Sequence, residues 1–246
     1  MNPTPSAPSS PIRSAVLLAA GRGTRMRELT DDLPKPMIPV QGKPILQRIL
    51  EGLRAAGISR AQIIVGYRAE VVRDFFGDGK DLGMHLEYAT QVVQDGTGKV
   101  VELARDFVGD QPFILSYGDI LVDPHNYLPL AQIGEAEAIV TVKRNESEMA
   151  KGGCVVVNAD FELTDLIEKP SGPPPSPWYN AGIYAFRPSL FEFTARLERS
   201  PRGEFELTDA IRALAQTRGR VRAQELSGSW ADVRDPEILA QLNSQP

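Results

Sequence analysis

The sequence predicts an α/β fold: a Rossmann-like, mostly parallel central sheet flanked by helices, with a small β subregion in its second half. Three observations carry that expectation. The run Ala15-Val16-Leu17-Leu18 is apolar on both faces, as a strand buried between two layers must be, and it ends abruptly in Ala19-Ala20-Gly21-Arg22-Gly23-Thr24-Arg25. From there to residue 107, apolar runs alternate with helically spaced segments, the pattern of right-handed βαβ units on one sheet. Beyond Pro124 this alternation gives way to short strands with short, partly antiparallel connections.

Taken in order, residues 13–19 form the first strand, and the glycine-rich loop after it leads to Lys35 between Pro34 and Pro36. Pro44 opens a helix carrying Ile45, Leu46, Ile49, Leu50 and Leu53 on one face, and Gly57 ends it. Residues 61–66 read as a second buried strand and 69–76 as a helix, broken by Gly77-Asp78-Gly79. A third strand at 85–89 leads into Gln91-Val92-Val93-Gln94-Asp95-Gly96-Thr97-Gly98, and a helix follows to about residue 107. Residues 112–116 form a short strand ending in Tyr117-Gly118-Asp119. A helix at 125–133 and strands at 138–142, 155–157, 163–167 and 179–186 come next, with a stiff, exposed loop at 171–177. Leu207, Ile211 and Leu214 share one face of a helix, 221–226 is a strand, and a last helix starts near Pro236. No internal repeat is found.

The composition narrows the function classes. A chain of 246 residues with 42% hydrophobic residues suits one large α/β domain. A formal net charge of −5 argues against a generally basic nucleic-acid-binding surface. The only cysteine, Cys154, cannot close an internal disulfide, which fits a reducing, cytoplasmic setting. The two histidines, His85 and His125, are too few and too scattered for a zinc site and read as ordinary surface or edge residues. Residues 1–12, rich in Pro and Ser, read as a disordered tail and not a signal peptide, and no apolar run is long enough to cross a bilayer.

The first strand and its loop bear on chemistry directly. Small residues let backbone N–H groups approach a phosphate chain closely, and Arg25 and Lys35 supply the positive charge a triphosphate needs. No Gly-Lys-Ser/Thr follows, so this is not a Walker A loop, and the glycine spacing is not that of a dinucleotide fingerprint. The amides of Gln91 and Gln94 each offer a donor and an acceptor, which suits a pyrimidine edge. Asp119 stands at the carboxyl end of a strand, the face on which parallel sheets bind ligands.

In this order, LLAAGRGTRM, DDLPKPMIPV, QVVQDGTG, YGD, EKP, YNAGI and SWADV closely resemble the signature of the sugar-phosphate nucleotidyltransferases, over nearly the whole chain after the tail. The resemblance implies a GT-A-like nucleotidyltransferase fold with a nucleotide half at about 13–142, a sugar-binding subregion at about 143–187 and a closing segment at 188–246. It implies an enzyme that transfers a nucleotidyl group from a nucleoside triphosphate to a sugar 1-phosphate, releasing pyrophosphate. UTP or dTTP and glucose 1-phosphate are favoured. By the same resemblance, Leu18, Ala19, Ala20, Gly21, Gly23, Thr24, Gln91, Gly96 and Thr97 bind the nucleotide, and Arg25 and Lys35 are catalytic. Gly153, Glu168, Lys169 and Asn180 hold the sugar phosphate, while Asp119 and Asp232 hold Mg²⁺. Val233 stands where the family has a glycine after the second aspartate. Three rivals remain: a cytidylyltransferase for an alcohol phosphate such as phosphocholine, a non-catalytic nucleotide-sugar binder, and a GT-A glycosyltransferase, whose Asp-x-Asp spacing is not found in Asp119-Ile120-Leu121-Val122-Asp123. Neither a nucleic acid nor a membrane is expected as partner, and a homo-oligomer is left open.

Overall fold

A computed structural model of the protein describes residues 10–244. Most of the expected tail, residues 1–9, lies outside the described residues. Ile12 does not belong to a tail: it is buried and donates its N–H to the Ala131 carbonyl at 2.9 Å, because its side chain completes the first core cluster.

The elements follow from the patterns above. Strand β1 (Ser14–Ala19) has no exposed residue. Two 3₁₀ turns, Thr24–Thr30 and Lys35–Met37, and the small ladder of β2 (Pro39–Val40) with β3 (Lys43–Pro44) lead to α1 (Ile45–Ala55), capped by Pro44. Strand β4 (Arg60–Val65), α2 (Ala69–Phe76) and β5 (His85–Thr90) stand where the sequence puts them. The helix expected up to residue 107 is three consecutive pieces: α3 (Thr97–Val100), a 3₁₀ turn Val101–Ala104 and α4 (Arg105–Val108). Strand β6 (Phe113–Tyr117) is followed at once by the short β7 (Ile120–Val122), then a 3₁₀ turn Pro124–Asn126 and α5 (Tyr127–Leu130). Strands β8 (Ala138–Arg144), β9 (Gly153–Val157), β10 (Leu163–Glu168) and β11 (Trp178–Phe186) come next. The chain then runs through α6 (Leu190–Thr194), α7 (Leu207–Arg218), β12 (Val221–Glu225), β13 (Trp230–Asp232) and α8 (Pro236–Ser244).

One sheet runs through both halves in the order β10-β9-β11-β6-β1-β4-β5, with β8 pairing β11 and β12 pairing β8. The block β6-β1-β4-β5 is parallel, and β11 turns antiparallel against β6, so this strand is the seam. The register of β11 on β8 shifts between Asn180 and Tyr184. Gly182 lies inside that shift at φ +81°, and a Cβ there would stand 2.7 Å from the Tyr117 ring. A local irregularity of this kind re-aims a strand, and here it turns Trp178–Tyr179 onto β9 while Ile183–Phe186 stays on β6. One apolar layer covers the α1 face of the sheet; the other, under α6 and α7, joins Val16, Ile64 and Leu115 to Val155, Leu166 and Tyr184.

Candidate active site

The site begins at the carboxyl ends of β1 and β6. These strands are neighbours, but the chain leaves β1 for β4 on the other side, so a crevice opens where the two connections part. The strand ends approach tightly: Gly118 donates its N–H to Leu18 O at 2.9 Å, and a Cβ on Gly118 would stand 3.0 Å from that oxygen. A cleft of about 340 Å³ opens above, lined by Leu18, Ala19, Ala20, Gly21, Lys35, Gln91, Gly96, Thr97 and Asp119 together with Pro36, Gln94, Val100, Tyr117, Gly118 and Glu204.

Within this cleft the Lys35 ammonium is buried and ion-paired with Asp119 Oδ2. Gly23 and Thr24 do not line the cleft. Gly23 instead packs under Lys35 in a left-handed conformation (φ +73°), and a Cβ there would come within 2.7 Å of Lys35 Cβ. Arg25 is exposed on the 3₁₀ turn above, near enough for its charge to act on Asp232. The Gln94 amide reaches the Ala20 carbonyl at 3.4 Å, and Gln91 turns back to Val93 O at 2.9 Å.

A second cleft of about 230 Å³ adjoins the first through Thr97, Tyr117 and Glu204. Gly153, Glu168, Lys169, Asn180 and Asp232 line it, the four expected sugar-phosphate residues among them. Asn180 donates to the Tyr184 hydroxyl at 2.8 Å. Lys169 is held at φ +45°, a strained setting for a side-chain-bearing residue, with its N–H bound to Gly152 O at 2.9 Å. Gly152 lies so close to Tyr179 that a Cβ would meet its hydroxyl at 2.2 Å.

The two expected metal aspartates come together across a ribbon. Strand β13 pairs antiparallel with β7, Asp232 opposite Ile120, and Val233 donates its N–H to Asp119 O at 3.0 Å. Burial and then the Asp119 charge push the Asp232 carboxyl up to about 6, against the pull of Lys35, Arg234 and Arg25. Arg234 stands 3.6 Å from Asp232. Burial, reinforced by Glu206, also raises the Glu168 carboxyl above its ordinary range.

Sequence reasoning missed part of the second cleft. Arg202, Glu204 and Glu206 line it from the segment that precedes α7, and Thr208 from the first turn of that helix. Arg202 lies 3.2 Å from Glu206 and 3.5 Å from Glu168, so one cation is shared by a buried and a half-buried carboxylate. The alternation of acidic Glu204 and Glu206 with Phe205, just before the helix that carries Leu207, Ile211 and Leu214, is the available signal of an extended wall.

Residues 14–245 match the family model described as nucleotidyl transferase. The chain is 33% identical over 226 residues to the UTP–glucose-1-phosphate uridylyltransferase AglF of Haloferax volcanii, covering 91% of this chain and 92% of that protein. It is 37% identical over 229 residues to the bifunctional protein GlmU of Methanocaldococcus jannaschii, covering 93% of this chain but only 53% of the relative, so the chain spans about half of that protein. In fold it resembles a crystal structure of UDP-glucose pyrophosphorylase complexed with UDP-glucose, with a TM-score of 0.85 at 23% identity, over 94% of this chain and 97% of the other.

Proposed function

The chain belongs to the nucleotidyl transferase family, and on that premise we propose that it joins a nucleoside triphosphate, UTP first and dTTP second, to a sugar 1-phosphate, glucose 1-phosphate first, releasing pyrophosphate. The observation that carries this reading is the pair of adjoining clefts. One is floored by a glycine-rich strand end with a buried lysine, and the other is walled by Glu168, Lys169 and Asn180, with Asp119 and Asp232 lining one cleft each. Two substrates bound in such neighbours meet at the aspartates, which is the positioning an in-line phosphoryl displacement needs.

In this reading Lys35 holds the α-phosphate, Arg25 meets the charge that builds on the departing pyrophosphate, and Lys169 steers the incoming phosphate oxygen. No general base is required, because a phosphate monoester is largely dianionic near neutral pH. The donor set fits a divalent cation bound mainly by substrate oxygens. Two carboxylates stand close enough for Asp119 to raise Asp232, and among the described residues no third metal-ligating side chain joins them. Magnesium ordinarily uses one or two carboxylates and completes its shell with phosphate and water. Bound there, Mg²⁺ would supply positive charge to the α-phosphate and the leaving group.

Base choice rests on the loop 91–98. Ala20 and the two glutamine amides suit a small base with a mixed donor and acceptor edge, whereas a purine would need more room over Ala20. A site that hydrogen-bonds one base edge rejects a mismatched one because its own polar groups are left unpaired. Pyrophosphate release, measured for UTP, dTTP, CTP, GTP and ATP against a panel of sugar 1-phosphates, tests both choices. UTP and dTTP, which share a pairing edge and differ by the C5 methyl and the ribose 2′-hydroxyl, should lead; the methyl contact alone allows a separation on the order of 10- to 200-fold. A clear preference for a purine triphosphate would overturn the base assignment, and no release with any pair would overturn the reaction.

A further inference from the structure

The ribbon that carries Asp119 and Asp232 is short, with three residues on each strand, and nothing in its own ladder explains why its register should hold. Its far end is tied differently. His125 Nδ1 lies 2.6 Å from Asp123 Oδ1, and its Nε2 lies 2.6 Å from Ser227 Oγ. Asp123 directly follows β7, and Ser227 stands in the loop that delivers β13, so the imidazole bridges the two strands at their open end. Read from sequence as an ordinary surface or edge residue, His125 is exposed, and it is also the middle of a Ser–His–Asp chain whose ends are two loops.

Four further hydrogen bonds converge on the same place. Buried Asn126 donates to Asp123 O and Ser227 O, each at 2.9 Å, and accepts from Ser227 N–H at 3.0 Å. Lys143 donates to Gly228 O at 3.1 Å. Gly228, at φ +72°, lets the loop pass over the aspartate; a Cβ there would stand 2.9 Å from Asp123 Oδ2. Then Asp123 N–H bonds Ser229 O at 3.1 Å, and the ladder runs on from Trp230 opposite Val122 to Asp232 opposite Ile120. A strand that slips by one residue sends every side chain to the other face, which would turn Asp232 away from Asp119.

We propose that Asp123, His125 and Ser227 form a positioning relay that keeps this ribbon in register and so sets how Asp119 and Asp232 face one cation. None of the three residues lines either of the two clefts. The inference rests on the assignment of those two aspartates to the metal made under Proposed function.

The test is Mn²⁺ binding to the protein alone, followed by electron paramagnetic resonance, alongside kcat and KM at saturating Mg²⁺. His125→Ala and Ser227→Ala should each weaken Mn²⁺ binding about fivefold, the size of one lost hydrogen bond, and lower kcat similarly while KM for the triphosphate changes less than about twofold. Because both break one chain, the double variant should be no worse than His125→Ala alone. Ser227→Thr, which keeps the hydroxyl, should restore the binding lost in Ser227→Ala; position 227 is exposed, so folding is not at stake there. If both alanine variants melt lower but keep wild-type Mn²⁺ binding and kcat, while Asp119→Asn loses the metal, the relay is wrong and the metal assignment stands. If Asp119→Asn and Asp232→Asn also bind Mn²⁺ normally, the metal assignment has failed and the relay falls with it.

Discussion

Asp232 holds its proton up to about pH 6, against an ordinary carboxyl value of 3.8, because it is buried beside Asp119. The sign of the consequence differs for folding and for metal binding. Between about 4 and 6 the folded chain keeps a proton that the unfolded chain has released, so this group favours the fold at low pH, and that contribution disappears as pH rises through about 6. A cation, in contrast, needs the carboxylate and must expel the proton, so Mn²⁺ affinity should fall roughly tenfold per pH unit below about 6 and level off above it. Asp232→Asn should flatten that slope and raise the melting temperature of the metal-free protein above pH 6. A titration with the same affinity at pH 5 and pH 7 would remove Asp232 from the metal site. For the phosphate clamp, Lys35→Ala should lower kcat by roughly 100- to 1000-fold, the loss typical of a donor aimed at developing charge. If Lys35→Ala raises only KM, the lysine binds substrate and does nothing more.

The loop 91–98 owes its shape to an element far away in sequence. Phe205 donates its N–H to Asp95 O at 2.8 Å, and Gly98 donates to Phe205 O at 2.8 Å, so the segment before α7 lies along the loop like an added strand. Gly96 sits in that contact at φ +117°, where a Cβ would come within 2.4 Å of Phe205 O. Gly96→Ala should therefore cost roughly 1–3 kcal/mol of stability from backbone strain, and it should raise KM for both substrates, because Gln91 lines the first cleft and Glu204, next to Phe205, lines both. Unchanged melting and unchanged KM for both would show that the loop holds itself. Such long-range ties mark where sequence reading stops. The buried strands β1 and β4 and the stripe of α1 were legible because burial on both faces, or on one helical face, leaves a pattern within one segment. The ribbon of β7 and β13 was not, since Ile120–Val122 and Trp230–Asp232 are too short to show a period and become strands only by pairing with each other. The glycine loop and YGD carry their residue types within one segment; the role of Arg202 and Glu206 was not legible, because Arg202 reaches Glu168 on β10 and Glu206 joins that carboxylate only through Arg202.

The molecule reads from sequence as a nucleotide half and a sugar subregion, yet the boundary at 142–143 falls inside β8 (Ala138–Arg144). Strand β11 pairs with β6 of the first half, with β8 across the boundary and with β9 of the second, and the apolar layer under α6 and α7 is shared. The closing segment is equally bound in, since its β12 adds a parallel strand to β8. With no break in hydrogen bonding or core, neither half can lose its structure without stripping a face of the other, so the chain should unfold in one cooperative step. Trp178 lies in β11, and Trp230 lies in β13, which pairs with β7 of the first half, so their fluorescence reports two local points on either side of the seam while far-ultraviolet circular dichroism reports the whole. The two urea midpoints should coincide, and a biphasic curve or separated midpoints would mean two units. Phe113 gives the sharper form of the test: it is fully buried at the seam, its ring 5.8 Å from Phe191 and 5.9 Å from Phe186. Phe113→Ala should cost about 3–5 kcal/mol and lower both midpoints together. If only the dichroism signal moves, the seam does not couple the halves, and the two clefts are held together by less than a common core.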